Sequence, residues 1–407
     1  MLSVPLSTSV AIPKSVLYNR RESSVPLLIH GQGVFLFGVI GTPCCFSLVD
    51  AVGIQGLGVE FTDKSVHVYN QQTKEPYVDP KNTQGLSSKT GATYWFSLDS
   101  QNQRIQAGVG EPRVETAIYT YTFPKENKAF LEAIMTIMIP TSLKTLRLLR
   151  DPITSKTPLH VQNTHALTMM DIASSSYLPH SHLSDVSQKL YNCISGRNFM
   201  LDDADFPDFS KAIQHSIVTP GLWCNKKLQD KSREFNPDKP NLLETYLRIT
   251  LNENNGESPG IPYVMEIWPS GHYSPIHSHS AADAVIRVLH GSIHVSLYPF
   301  LCAEKDGVEP FGSAEFHHGD ITWISPTLNQ THQLKNVKGE ACITIQCYMY
   351  EGNDDVHYDY FDYIDSDGNK KQYEPDSDMD FVAFRSLMKQ EWEARVKPVC
   401  CGCFPSW

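Results

Sequence analysis

One short segment restricts this chain more than any other part of it: Gly271-His-Tyr-Ser-Pro-Ile-His277-Ser-His279. In an extended strand, side chains two residues apart share a face. His277 and His279 then point the same way, as two imidazoles must to hold one metal ion. Gly291 comes later, in the turn-rich end of this piece. A second piece, Gly319-Asp-Ile-Thr-Trp-Ile-Ser-Pro326, leads to His332 and then Asn336, and reads as strand, turn and strand. A lone His-x-His is as readily a packing or surface pair. A third histidine behind its own glycine and proline favours a metal site. Neutral imidazoles suit iron, zinc, copper or nickel, so ligand type alone does not choose the metal.

The rest of the chain sets the frame for this site. Its 407 residues are long for one domain and comfortable for two. A net charge of −11 argues against nucleic acid as the main partner. No run reaches the roughly 18 apolar residues of a membrane helix. No clear signal-peptide pattern opens the chain. The ten cysteines show no regular framework and read as reduced thiols, so the expected location is cytoplasmic.

Residues 1–124 read as a β-sandwich. Val34–Ile40 is a buried-strand run, and 92–98 and 117–122 are rich in aromatic and β-branched residues. Residues 125–240 read as a partly helical connecting segment, with Leu183, Val186, Leu190 and Ile194, then Phe209, Ile213 and Ile217, at helical spacing. This segment is expected to pack on residues 241–365, which form the metal-binding core. Residues 366–407 read as a C-terminal helix and a cysteine-rich tail. The helix is expected to begin near Asp380, with Phe384, Met388 and Trp392 on one face. Cys400, Cys401 and Cys403 could be S-acylated and attach the chain to a membrane, or could remain free thiols in a frayed end.

The stretches 94–99 and 104–111 resemble the β-sandwich module of farnesoic acid O-methyltransferase-like proteins. The two histidine pieces resemble the two cupin motifs. Where most cupins carry a glutamate ligand after the second histidine, this chain has Ala284, and Asp283 is one residue out of register. A three-histidine cupin without that glutamate resembles the thiol dioxygenases. Trp268–His279 is similar to the cysteine dioxygenase motif, as are Ile286–Gly291, Thr331–Val337, Tyr246-Leu-Arg248 and Thr344–Tyr348. The resemblance covers roughly residues 180 to 365.

It implies a mainly-β chain whose C-terminal cupin is a small barrel with flanking helices. It implies Fe(II) on His277, His279 and His332, with a small thiol, cysteine foremost, and O₂ as substrates and a sulfinate as product. Arg248 is then expected to hold a substrate carboxylate, with Tyr246 on the same side, and Tyr348 to hydrogen-bond oxygen or substrate. Two departures stand out. Ala284 occupies the position of the cysteine that animal cysteine dioxygenases crosslink to the tyrosine. Gln346 replaces the histidine that orients that tyrosine, and glutamine cannot change its charge near neutral pH. Another cupin reaction and a cupin kept for binding or scaffolding remain as alternatives.

Overall fold

The computed structural model describes residues 12–19, 23–38, 43–82, 84–251, 262–279, 281–304, 307–350 and 360–395. Cys400, Cys401 and Cys403 lie outside them. The chain divides into two compact units, Met1–Lys156 and Thr157–Trp407. Each has its own apolar core.

The first unit is a sandwich of two six-stranded sheets, with every strand pair antiparallel. Aromatic residues at alternate strand positions face one another between the sheets. Phe35 and Phe96, cross-strand partners in one sheet, stack at 4.5 Å, and Phe37 reaches across to Phe46 at 4.6 Å and Phe61 at 5.1 Å. The sandwich runs past the boundary expected at 124. Thr145–Leu149 inserts between Ser15–Asn19 and Gln32–Gly38 in one sheet, and Thr136–Met138 pairs with Cys44–Val49 in the other. A one-turn helix, Lys128–Glu132, precedes these strands. It explains why the region read as the start of a helical segment: the strands after it are too short for their alternation to dominate.

In the second unit, one sheet runs in the order Ile321–Ile324, Asp283–His290, Cys342–Met349, Tyr263–Trp268, Leu247–Thr250 and Met379–Asp380. The other runs Gly312–His317, Ser292–Leu297, Thr331–Lys335, Ile276–Ser278, Phe361–Ile364 and Lys370–Tyr373. This barrel extends to Tyr373, beyond the expected core boundary at 365. The Phe361–Tyr373 hairpin closes the edge beside the Ile276–Ser278 strand. The acidic composition of this stretch hid it, because its alternating apolar positions are only Phe361, Tyr363 and Tyr373.

The first sheet is buried on both faces. Leu247, Ile249, Met265, Ile267, Val285, Ile343, Ile345 and Cys347 share a core with Leu190 and Ile194 of helix Asp185–Ile194, Phe209 and Ile213 of Phe209–Val218, and Phe384 and Met388 of Phe381–Ala394. The final helix starts where expected, with the Asp380 side chain accepting from the Ala383 amide at 2.9 Å as its N-cap. Residues at the intervening positions of the same strands, among them Tyr246, Arg248, Glu266, Trp268, Gln346 and Tyr348, turn into the barrel. No helix among the described residues is long and apolar enough to cross a membrane.

The architecture is therefore mainly β, with a helix-flanked barrel coming after a sandwich. Phe96 is fully buried in the sandwich core. Phe96→Ala should destabilise the first unit by about 3–5 kcal/mol through lost packing and a residual cavity. The check is the denaturant midpoint of the full chain.

Candidate metal centre

Antiparallel pairing builds the site. Ile276–Ser278 lies against Thr331–Lys335 with His277 directly opposite His332, and His279 comes two residues on from His277. The ring centroids lie 4.5 Å apart for His277 and His332, 4.9 Å for His277 and His279, and 5.2 Å for His279 and His332. One nitrogen from each lies within 4.8 Å of the other two. Among the described residues, this is the one group of three or more metal-type side chains so gathered.

Backbone carbonyls fix two of the rings. The His277 Nδ1 bonds to the Pro275 carbonyl oxygen at 3.0 Å, and the His332 Nδ1 to that of Asn329 at 2.9 Å. Each bond calls for the proton on Nδ1 and leaves Nε2 as the ligand atom. Burial is the main cause that keeps all three imidazoles neutral. It depresses His277 and His279 well below the ordinary value, with His332 adding to both, and lowers His332 to about 4. Neutral, buried and convergent imidazoles fit a divalent transition metal.

The motif residues around them serve the backbone. Asn336 is fully buried, and its amide donates to the carbonyls of Trp268 at 2.8 Å and Glu340 at 2.7 Å. It ties the two histidine pieces to the central sheet. Gly291 has φ +71°, and a Cβ there would meet the Ala341 carbonyl oxygen at 2.7 Å. Only glycine makes that turn without strain.

Asp283 faces away from the cavity, as its register implied. It is fully buried and accepts from Ser184 Oγ at 3.0 Å and Ser187 Oγ at 2.6 Å at the start of helix Asp185–Ile194. Ala284 turns inward and is the direct cross-strand partner of Tyr348. The side chain facing Tyr348 there is thus a methyl group and not a carboxylate.

The histidines share a cavity of about 50 Å³ with Tyr246, Arg248, Gln346 and Tyr348. Its remaining walls are mostly apolar, including Ile293, Val295, Leu297, Phe316 and Leu334 from the second sheet. Phe361 packs its ring 5.0 Å from that of His277. Tyr246 stacks on Trp268 at 4.2 Å.

A buried carboxylate that sequence reasoning did not single out dominates the polar wall. Glu266 is the cross-strand neighbour of Arg248 and takes a hydrogen bond from its Nη1 at 2.9 Å, with both side chains almost wholly buried. The Gln346 amide nitrogen donates to the other Glu266 oxygen, and the Tyr348 hydroxyl donates to the Gln346 amide oxygen. Glu266 therefore decides which way the Gln346 amide faces, and Gln346 holds the Tyr348 hydroxyl. Burial opposes charge on both members of the pair. The Glu266 charge nevertheless holds the Arg248 pKa above its ordinary value, while Arg248 offsets part of the desolvation that raises Glu266. Burial, then the Glu266 charge, push the Tyr348 pKa up, so its phenol keeps its proton at neutral pH. The signal available in sequence was one acidic residue inside the apolar run Tyr263–Trp268, which leads straight into the histidine segment.

No family model matches the chain. Solved structures that it matches include the cupin_2 domain of an XRE family transcriptional regulator from Enterobacter cloacae. There the identity is 11%, the coverage 26% of this chain and 96% of that one, and the TM-score 0.21. A cupin domain from Bordetella pertussis matches at 13% identity over 25% of this chain and 90% of its own, with a TM-score of 0.19. An oxalate oxidase in complex with the substrate analogue glycolate matches at 19% identity over 28% of this chain and 53% of its own, with a TM-score of 0.22. Identities this low carry nothing about substrate or reaction.

Two outcomes test the site. His277→Ala, His279→Ala and His332→Ala should each remove most bound metal by elemental analysis. Asp283→Asn should keep it and lose about 1–3 kcal/mol of stability through weakened serine bonds. The depressed histidines make one contribution to the pH dependence of the metal-free protein. A histidine held neutral in the fold still takes up a proton when unfolded. Between about 6.5 and about 4, the ordinary and folded values for His332, the unfolded chain binds more protons. The His332 contribution to stability should therefore fall as pH falls through that window, opposed by Glu244, whose carboxyl burial raises to about 7. His332→Gln should flatten the dependence, read from denaturant midpoints across pH.

Proposed function

We propose that the second unit is a cupin-type centre that holds Fe(II) on His277, His279 and His332 and oxygenates a small thiol to its sulfinate. The observation that carries this reading is the ligand set: three neutral imidazoles, with Ala284 rather than a carboxylate facing Tyr348. Such a set leaves coordination positions open and adds no negative charge to compete with a thiolate. The resemblance of the histidine segments to cysteine dioxygenase points the same way.

The cavity supports a small substrate. By the same measure of volume one water needs roughly 10–15 Å³. A cavity of about 50 Å³ therefore has room for a molecule of a few heavy atoms beside the metal site, not for a large carbon skeleton. Its apolar walls exclude bulk water, which strengthens each polar contact within.

The reaction balances without a further reductant. A thiol and O₂ give a sulfinate and a proton; the sulfur loses four electrons, O₂ gains four, and both oxygen atoms end on sulfur. Bound iron(II) supplies the open-shell chemistry that lets O₂ react with a closed-shell thiol. The protein's own residues do the rest. The three imidazoles hold their metal-facing nitrogens in place without reorganisation. Tyr348, protonated and held by Gln346, presents a fixed hydroxyl beside the His279 ring, 5.6 Å between centroids. There it can donate to or accept from an oxygen or sulfur substituent. The buried Arg248–Glu266 pair ends the polar wall.

The test is anaerobic iron loading and then oxygen uptake with a panel of small thiols. One O₂ consumed per thiol, with sulfinate as the product by mass spectrometry, is the expected result. Iron-loaded protein that consumes no O₂ with any of them overturns the reading. Tyr348→Phe should keep its iron and turn over about 10²-fold or more slowly, the usual scale for a lost proton-handling or hydrogen-bonding group.

A further inference from the structure

Glu266 changes what Arg248 can do. An unpaired buried guanidinium beside a metal site would be a ready clamp for a carboxylate, since its fork matches two carboxylate oxygens. Here one of its nitrogens is 2.9 Å from the Glu266 carboxylate, which already matches the guanidinium's charge. Arg248 Nε lies buried without a partner among the described residues, an open donor suited to a neutral acceptor such as an amide carbonyl, while the guanidinium's charge is already matched by Glu266. A substrate carboxylate brought to Arg248 would put two anions on one guanidinium in a nearly dry cavity. Displacing Glu266 instead would leave a buried carboxylate without its cation, the costly way to break such a pair.

Lys231, the other cation whose charge reaches Glu266, offers no relief. It is committed to Asp378 at 3.2 Å and Glu234 at 3.1 Å. Glu266, by contrast, is not saturated as an acceptor. Its two oxygens take one bond each from Arg248 and Gln346. An ionised carboxylate has about four acceptor sites. What the polar wall offers a ligand is a hydrogen-bond acceptor carrying negative charge.

We infer that Glu266 sets the specificity of this cavity for thiols that carry an amine or amide and no free carboxylate. The inference rests on the thiol-oxygenation reading and narrows its substrate class away from cysteine itself. With the thiol sulfur at the metal, the donor end of an aminothiol faces Glu266, and Arg248, 2.9 Å away, favours the ionised form of Glu266 and holds it in place. Glu266 acts here as a specificity residue, and Arg248 as the residue that positions it.

Binding can be read apart from turnover. The full chain is loaded anaerobically with Co(II), and thiolate-to-cobalt absorption is monitored as cysteamine, cysteine amide, cysteine or 3-mercaptopropionate is added. Cysteamine and cysteine amide should half-saturate at concentrations about tenfold or more below those for cysteine and 3-mercaptopropionate, the scale of one misplaced charge at a buried site. Glu266→Gln should free Arg248 and reverse that order while metal stoichiometry stays the same. A purely structural Glu266 would lower stability and leave the order unchanged, and that result overturns the inference. So does a wild-type protein that takes cysteine or 3-mercaptopropionate as tightly as cysteamine. If Glu266→Gln does not fold, the wild-type series still decides, and Arg248→Met/Glu266→Leu, which removes both charges, should bind all four thiols with little discrimination. Cobalt bound with no thiolate absorption from any thiol overturns the thiol reading itself. Absorption with a preference for carboxylates overturns the Glu266 inference alone.

Discussion

The two-residue alternation of the central sheet in the second unit has to satisfy two environments at once. One face meets helices and must be apolar; the other meets the cavity and carries Arg248, Glu266, Gln346 and Tyr348. A slip of one residue in any of these strands would drive a charge under the helices and an aliphatic side chain against the metal site. Register is therefore strongly specified by the cost of the alternative. The helices that cover the outer face hold the sheet in the one register that assembles the site. Asp283 marks the boundary: it lies on the helix side, satisfied by two serines, while its neighbour Ala284 lies on the cavity side against Tyr348.

The second sheet completes the centre by a different route. His277 and His332 are far apart in sequence, and one antiparallel pair places them opposite each other. The bonds from their Nδ1 atoms go to carbonyls of residues two and three positions earlier in their own segments. Local turns thus choose the tautomers, while long-range pairing brings the rings together. Burial keeps the rings neutral and so ready for a metal, at the expense of stability as acid is added.

The Arg248–Glu266 pair is a poor device for stability. Burying two charges costs several kcal/mol each before their attraction offsets it, and apolar residues of similar size often serve as well. Its place in the cavity wall, bonded through Gln346 to Tyr348, gives it a different value. It orders three polar side chains with defined directions, cancels a cation, and leaves a charged acceptor facing the space beside the metal site. Gln346 does not titrate near neutral pH, and Glu266 supplies the orientation that the amide lacks by itself.

The sequence alone picked out the three histidines that the fold gathers and the type of fold. His-x-His spacing has meaning only on a strand, and glycine, proline and asparagine at fixed offsets mark the turns on either side. Helix positions were also legible, because Leu190, Ile194, Phe384 and Met388 recur at helical spacing. Tertiary structure alone decided where the units end. Thr145–Leu149 and the Phe361–Tyr373 hairpin are too short to announce themselves and exist because neighbouring strands offer them a ladder. It also decided the meaning of Arg248. An arginine two residues after a tyrosine reads as a clamp for a carboxylate, held by some neighbour when empty, and the sequence does not say which. Only the pairing of its strand with Tyr263–Trp268 reveals that a carboxylate already stands opposite it, because cross-strand partners are set by register and not by distance along the chain.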